Sequence, residues 1–267
     1  MHDITTSTFE CIRFRRDGDV LVVTIDRPGN DLNAVNEVLH EELTRLFREL
    51  RQESLARAVV LTGKGRAFSA GGDFAWFPTL QDPGKLDPLR RDAKQLIWDL
   101  LDVEIPIVAA VNGHAMGLGA SIALLCDVIF MADNATIGDP HVRVGVVAGD
   151  GGVAIWPLAV GPALAKQYLM TGDALTAAEA ERIGLVNKAV PAAQVLDEAM
   201  KLAQRLAAGA PLAVRYTKMS VNKLVKDALN IAFDASTALE ILTFKSEDHQ
   251  EALAALREKR PPNFRGR

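Results

Sequence analysis

Two glycine-rich turns carry backbone groups that could do chemistry. One turn, Phe68–Asp73, reads Phe-Ser-Ala-Gly-Gly-Asp, and the other, Asn112–Ser121, reads Asn-Gly-His-Ala-Met-Gly-Leu-Gly-Ala-Ser. Gly72 can present its N–H with no side chain in the way, and the second turn opens a helix whose first N–H groups lack partners inside that helix. If the two turns face one another, their N–H groups can hold one oxygen on which negative charge develops.

His141 and Asp150 are side chains suited to proton transfer. They lie nine residues apart, on either side of an apolar run that is typical of a strand. A carboxylate bonded to one ring nitrogen of a histidine fixes its tautomer and raises its pKa, so the pair could activate water or deliver a proton. The alternatives are a structural histidine and, for Asp150, the N-cap of a helix over Gly151–Leu158.

Buried strands lead into both glycine turns. Ala58–Thr62 and Ile107–Val111 are rich in β-branched residues and carry no charge, which predicts buried strands. Strands alternate with helical segments in this half of the chain, and the alternation favours an α/β core. Near the N-terminus, an Asp-Gly pair between Cys11–Arg16 and Val20–Asp26 predicts a hairpin.

Helical patterns dominate the second half of the chain. Upstream, Ala93–Leu101 is helical and follows a loop over Phe74–Pro88 that has no periodicity. From Pro162 onward, the predicted helices are Ala163–Met170, Ala177–Ile183, Ala192–Ala207, Leu212–Val225, Ala228–Phe244 and His249–Lys259. We place a boundary near residue 200, with a core over 1–200 and a helical region over 201–267.

Composition narrows the classes of partner. The 267 residues carry a net charge of −4 and no dense cluster of Lys and Arg, which argues against nucleic acid as a partner. No apolar run approaches the roughly 20 residues that span a bilayer, and the N-terminal residues do not resemble a signal peptide, so a cytoplasmic protein without a membrane partner is expected. The 2 cysteines are too few for a disulfide framework or a metal site, and no metal is expected.

The paired turns resemble those of the crotonase (enoyl-CoA hydratase/isomerase) superfamily. Further resemblances run along nearly the whole chain: Arg27-Pro28, Leu32-Asn33-Ala34, Cys126-Asp127, Leu169–Gly172, Gly184-Leu185-Val186 and Glu258-Lys259-Arg260. The resemblance implies a core built as a spiral of β-β-α repeats. It also implies C-terminal helices that assemble a homotrimer or a dimer of trimers.

The resemblance also implies an acyl-CoA substrate and particular roles for residues. Matched by position, the backbone N–H groups of Gly72 and Leu118 form an oxyanion hole for a thioester enolate. Ala70–Asp73 lies along the adenine side of coenzyme A, and Lys259 takes the place of a lysine that reaches the phosphates across a subunit boundary. Coenzyme A arrives as part of the substrate, so no separate cofactor is expected.

The acid–base positions depart from the family pattern. Hydratases of this superfamily use two glutamates, and Ser121 and His141 stand at the matching positions here. A serine hydroxyl cannot act unaided as an acid or base near pH 7, which leaves Ser121 a role in substrate binding. The pattern of His141 and Asp150 resembles the β-diketone hydrolases of the superfamily, although their further histidine has no match at Leu118, and His114 is a conceivable substitute.

Three functions follow from these residues. The favoured one is water attack or retro-Claisen cleavage of an oxo-acyl thioester, with His141 and Asp150 moving protons. The alternatives are ordinary enoyl-CoA hydratase/isomerase activity and a non-catalytic scaffold that binds acyl-CoA. A serine hydrolase is disfavoured, because a nucleophile elbow needs its serine at the turn into the helix and Ser121 lies about one turn inside it.

Overall fold

The computed structural model describes residues 2–267, which form ten β-strands and eight α-helices. The strands are β1 (Ile12–Asp17), β2 (Val20–Ile25), β3 (Ala58–Gly63), β4 (Ala67–Ser69), β5 (Ile107–Val111), β6 (His114–Met116), β7 (Val128–Ala132), β8 (Thr136–Gly138), β9 (Leu175–Thr176) and β10 (Lys188–Val190). The helices are α1 (Glu37–Leu50), α2 (Pro83–Asp102), α3 (Leu118–Leu125), α4 (Gly152–Thr171), α5 (Ala177–Arg182), α6 (Val195–Ala207), α7 (Pro211–Phe244) and α8 (Glu247–Glu258).

The larger sheet has the strand order β1-β2-β3-β5-β7-β10. β1 and β2 pair antiparallel as the predicted hairpin, and the remaining neighbours pair parallel. The central strand β5 is buried along its whole length, as expected for a parallel strand covered on both faces. The predicted α/β core is therefore confirmed.

The smaller sheet has the order β4-β6-β8-β9 and leads directly to the two glycine turns. β4, β6 and β8 run parallel, so their carboxyl ends lie at the same edge. In open α/β sheets, ligands bind beyond the carboxyl ends of the strands. At this edge the chain continues into Gly72 after β4, into Leu118 after β6, and into His141 after β8.

The segment between His141 and Asp150 is not a strand, as the apolar run had suggested. Residues His141–Val144 form a 3-10 turn that ends at Gly145, whose φ of 70° is left-handed. The turn packs against α4 and α8. Over so few positions, the alternation of apolar residues does not distinguish a strand from a 3-10 turn.

Two predicted helix boundaries are also wrong. Helix α2 begins at Pro83, ten residues before its predicted start, because the Asp82 side chain accepts a hydrogen bond from the Gly84 N–H and starts the helix within a Pro- and Gly-containing stretch. The two helices predicted over 212–244 are one continuous helix, α7. Residue 200, where the sequence places the domain boundary, lies in α6, which packs on β3 and β5. The division into a core and a helical region stays a prediction.

A capping box begins α5, with the side chains of Thr176 and Glu179 each accepting a hydrogen bond from the backbone of the other residue. Among the described helices, none combines the length and the apolar composition that a bilayer crossing requires.

Candidate active site

The two glycine turns present free backbone donors into one cavity. Within residues 2–267, neither the Gly72 N–H nor the Leu118 N–H donates a hydrogen bond to another protein group. Leu118 is the first residue of α3, where an N–H has no partner inside the helix. Both residues line a cavity of about 80 Å³, here called the first cavity. That both donors hold one oxygen stays a prediction.

Glycine is required at two positions of these turns. A Cβ on Gly72 would lie 2.4 Å from the ring of Phe77, which packs directly against the turn. Gly117 has a φ of 52°, and a Cβ there would lie 3.2 Å from Cε1 of His141. The small residues thus let the backbone donors and the imidazole approach the same space.

His141 lines the first cavity and is surrounded by three carboxyl groups. Its Nδ1 is hydrogen-bonded to Asp139, two residues earlier in the chain. Its Nε2 lies 3.6 Å from Oδ2 of Asp150 and 4.0 Å from Oε1 of Glu240. Those two distances exceed a direct hydrogen bond, so Nε2 remains available to a substrate or water. The predicted neighbours His141 and Asp150 do meet, but the tight partner of the imidazole is Asp139.

Ser121 belongs to this cluster in a way that differs from its predicted role. Its side chain is completely buried in α3, and its hydroxyl donates to Oδ1 of Asp150 at 2.9 Å. The Ser121 side chain therefore positions Asp150 and does not line the first cavity. The N-cap residue of α4 is Gly151, so Asp150 does not fill the N-cap position that was its structural alternative.

Glu240 is a member of the cluster that the sequence analysis missed. It projects from the last turns of α7 into the first cavity. The backbone at Gly149 makes room for it, since a Cβ there would lie 2.4 Å from Oε2 of Glu240. A signal was present: Phe233, Glu240 and Phe244 share one buried face of α7, and a carboxyl group on such a face marks a functional position.

The cluster changes the protonation of its members. Burial alone would lower the pKa of His141, but the carboxylates of Asp139 and Asp150 outweigh it and hold that pKa well above its usual value. Burial raises the pKa of Glu240 to about 8. Burial also raises the pKa of Asp150, although His141, the Ser121 hydroxyl and the Gly152 N–H favour its charged form. The carboxylates thus favour the imidazolium form of His141, and burial favours the protonated form of Glu240.

The same groups have the chemistry of metal ligands. Asp139, His141 and Asp150 each offer a ligand atom, and these atoms lie within 4.8 Å of one another. One carboxylate oxygen of Asp139 and the Nδ1 of His141 are already hydrogen-bonded to each other as an acid–base pair. That the reaction needs no metal and no separate cofactor stays an expectation.

A second cavity of about 220 Å³ adjoins the first and shares Gly72, Phe77 and His141 with it. Ala70 lines this second cavity, in agreement with a place beside the substrate. Asp73 does not line it: its carboxylate pairs with Arg27 at 2.7 Å and accepts from the Ala75 N–H.

Two further predicted residues lie at the edges of this region. Lys259 is exposed at the C-terminal end of α8, three residues after Leu256, which lines the second cavity. Its contact with coenzyme A phosphates stays a prediction. His114 is exposed and its Nδ1 lies 2.8 Å from the Thr136 hydroxyl, so it does not substitute for a catalytic histidine.

Comparison with known proteins places the chain in a family. The model of the enoyl-CoA hydratase/isomerase family matches residues 15–267. The chain belongs to that family. A probable enoyl-CoA hydratase of Mycobacterium bovis, echA8, is 36% identical over 257 residues, which cover 96% of this chain and 98% of that protein.

Two solved structures resemble this fold closely. An enoyl-CoA hydratase/isomerase from Mycobacterium paratuberculosis has a TM-score of 0.87 at 38% identity and covers 92% of this chain and 98% of its own. A β-diketone hydrolase from the cyanobacterium Anabaena sp. PCC 7120, bound to (S)-3-oxocyclohexyl acetic acid, has a TM-score of 0.83 at 31% identity. It covers 88% of this chain and 94% of its own.

Proposed function

We propose that this member of the family cleaves a C–C bond in a 3-oxo-acyl thioester of coenzyme A by a retro-Claisen reaction with water. The observation that carries the proposal is the set of groups that lie around His141. One half-buried imidazole meets Asp139, Asp150 and Glu240 in the cavity that also holds the free N–H groups of Gly72 and Leu118. Such a site has a proton donor, a proton acceptor and an oxyanion hole together.

Asp150 is the base in this proposal. The Ser121 hydroxyl favours its charged form, and a water beside Nε2 of His141 can also reach Oδ2 of Asp150 because those atoms are 3.6 Å apart. As Asp150 takes a proton from the water, the water oxygen bonds to the keto carbon. The bond between that carbon and the α-carbon then breaks, and its electron pair moves onto the thioester as an enolate.

His141 completes the reaction as the acid. Its raised pKa keeps a proton available at neutral pH. The imidazolium gives this proton to the α-carbon of the enolate, while Gly72 and Leu118 hold the thioester oxygen. The products are a carboxylic acid and a shortened acyl-CoA, and the proton on Asp150 returns to His141.

Hydration of an enoyl-CoA is the second candidate, and one observation favours it. Asp150 and Glu240 both line the first cavity beside His141, so the site does hold two carboxyl groups, although not at the positions of the family's glutamates. One of them charged and the other protonated could position water and protonate the α-carbon. The names of the relatives agree with this reading equally well.

A matched substrate panel separates the candidates. We expect kcat/KM for a 3-oxo-acyl-CoA to exceed that for the enoyl-CoA of equal chain length. His141→Ala and Asp150→Asn should each lower the rate by roughly 10²–10⁴-fold, and less than additively together. His114→Ala is the control, because that histidine is exposed and lies outside both cavities. Fast hydration with no cleavage would favour the second candidate, and binding without any turnover would leave only a scaffold.

A further inference from the structure

The first cavity contains a polar corner that the proposed chemistry does not use. It consists of His40, from the first turns of α1, and Trp76, from the segment after Gly72; their rings are 5.9 Å apart between centroids. Both line the cavity with Gly72 and His141. We refer to these two residues as the polar corner.

The hydrogen-bonding groups of the polar corner lack protein partners. The His40 side chain is 4% exposed, and within residues 2–267 neither of its ring nitrogens makes a hydrogen bond. The indole N–H of Trp76 is buried and has no acceptor in that part of the chain. A buried indole N–H without an acceptor is rare, and here it lies beside an imidazole that also lacks a protein partner, so the corner needs an explanation.

The groups in and around the polar corner determine which kind of ligand atom can form hydrogen bonds with it. Nearby cavity walls are apolar and include Val35, Leu80 and Ala93. Burial lowers the pKa of His40 to about 4, so its imidazole is neutral and offers one N–H. An indole N–H only donates. The atom that both groups can bind is therefore an acceptor, such as a carbonyl oxygen.

Arg90 also lines the first cavity but does not compete for this role. Its guanidinium donates to the Asp87 carboxylate at 2.9 Å, and its side chain is partly exposed. Among the described residues that line the first cavity, the buried donor without a partner is the indole N–H of Trp76.

We propose that His40 and Trp76 bind the keto oxygen of an oxo-acyl group and so determine specificity for oxo-acyl over unsubstituted acyl thioesters. The inference rests on the proposed function and names its substrate determinant. When water attacks the keto carbon, negative charge develops on the keto oxygen as well as, later, on the thioester oxygen. Gly72 and Leu118 serve the thioester oxygen, and the polar corner serves the keto oxygen.

The test uses binding, because it works whether or not the protein turns over its substrate. S-(3-oxobutyl)-CoA and S-butyl-CoA are thioethers that cannot be cleaved and that differ only in the keto oxygen. By calorimetry, the wild type should bind the oxo compound roughly 10-fold more tightly or better, since one or two hydrogen bonds separate the ligands. His40→Phe should bring the ratio near one while S-butyl-CoA affinity stays the same.

Two further variants complete the design. Trp76→Phe should lower the same ratio, and His40→Asn, which keeps a side-chain N–H, should restore part of it. An unchanged ratio in both His40→Phe and Trp76→Phe, or no preference in the wild type, would overturn the inference. If the protein cleaves 3-oxo-acyl-CoA but the binding ratio is unchanged in the variants, the proposed function stands and the inference about the polar corner fails. If the wild type clearly prefers the oxo compound but does not cleave 3-oxo-acyl-CoA, the inference stands and the proposed function fails.

Discussion

At the scale of single residues, the chemistry of this site depends on one imidazole that three carboxyl groups share. Asp139, Asp150 and Glu240 surround one imidazole, and all three carboxyl groups are buried. Like charges at this distance in a buried site oppose one another, so the cluster keeps protons that isolated carboxyl groups would release. The cluster therefore affects stability as well as catalysis, and the two can be measured separately.

Glu240 makes the stability of the protein depend on pH. Its pKa rises from 4.5 to about 8 on folding, so the stabilisation it contributes is complete below pH 4.5 and is lost as pH rises to 8. The raised pKa of His141 acts in the same direction above pH 6.5, while the lowered pKa of His40 matters only below that value. We expect the free energy of unfolding to fall between pH 6.5 and 8.

Chemical denaturation across that range measures the effect. Glu240→Gln keeps the side-chain volume but cannot titrate, so its free energy of unfolding should fall less steeply with pH than that of the wild type. Equal slopes in the two proteins would show that Glu240 keeps its ordinary pKa in the fold.

Ser121 tests whether Asp150 is the base. Ser121→Ala removes the hydrogen bond at 2.9 Å that favours the charged carboxylate, so the pKa of Asp150 should rise. The acidic limb of kcat/KM against pH should move to higher pH by about one pKa unit, which is roughly a 10-fold loss of activity on that limb. Ser220→Ala, whose hydroxyl only bonds Tyr216 within α7, is the control. Lower activity with an unmoved limb would assign Ser121 a purely structural role.

At the scale of elements, the sequence predicts the long strands better than the site. Val20–Ile25 and Ile107–Val111 carry a clear apolar pattern and appear close to their predicted bounds. The three-residue strands β4 and β6 are too short to show a period, yet their ends carry both backbone donors. Glu240 was missed for another reason: it lies 99 residues from His141 in the chain, and only the packing of α7 brings them together.

The turn before α3 fixes the position of the Leu118 N–H relative to the imidazole of His141. Gly117→Ala would place a Cβ 3.2 Å from Cε1 of His141 and strain a φ of 52°. We expect a loss of about 1–3 kcal/mol of stability from the backbone, and at least a 10-fold loss of activity from the displaced ring.

Gly161→Ala is the matched control, because its φ is 79° and nothing lies within 4 Å of the added Cβ. It should destabilise the protein similarly and leave kcat unchanged. Chemical denaturation and steady-state kinetics of both variants measure stability and kcat. Equal losses of activity in the two variants would mean that the position of the His141 ring does not depend on this turn.

At the scale of the whole molecule, α7 connects the site to an exposed apolar surface. Glu240 lies on its buried face, while Leu224 and Ile231 on its surface are 70% and 78% exposed. Apolar side chains exposed along so long a helix are typical of an interface between subunits. Assembly into a homotrimer or a dimer of trimers stays a prediction, and it follows the family resemblance.

Sedimentation velocity tests the assembly. The wild type should sediment as a trimer or hexamer at micromolar concentration, and Ile231→Lys should shift it towards the monomer, because it buries a charge in the expected interface. Gln52→Lys adds the same charge at an exposed position outside α7 and should leave the assembly intact. A monomeric wild type would contradict the prediction.

The fate of the water oxygen tests the central claim most directly. A 3-oxo-acyl-CoA incubated with the protein in ¹⁸O-labelled water should release a carboxylic acid that carries one labelled oxygen from the attack, together with a shortened acyl-CoA whose thioester carbonyl carries none. His141→Ala and Asp150→Asn should suppress the labelled acid. An intact 3-oxo-acyl-CoA, alongside rapid labelling of the β-carbon of an enoyl-CoA, would show that the site hydrates a double bond and does not cleave a C–C bond.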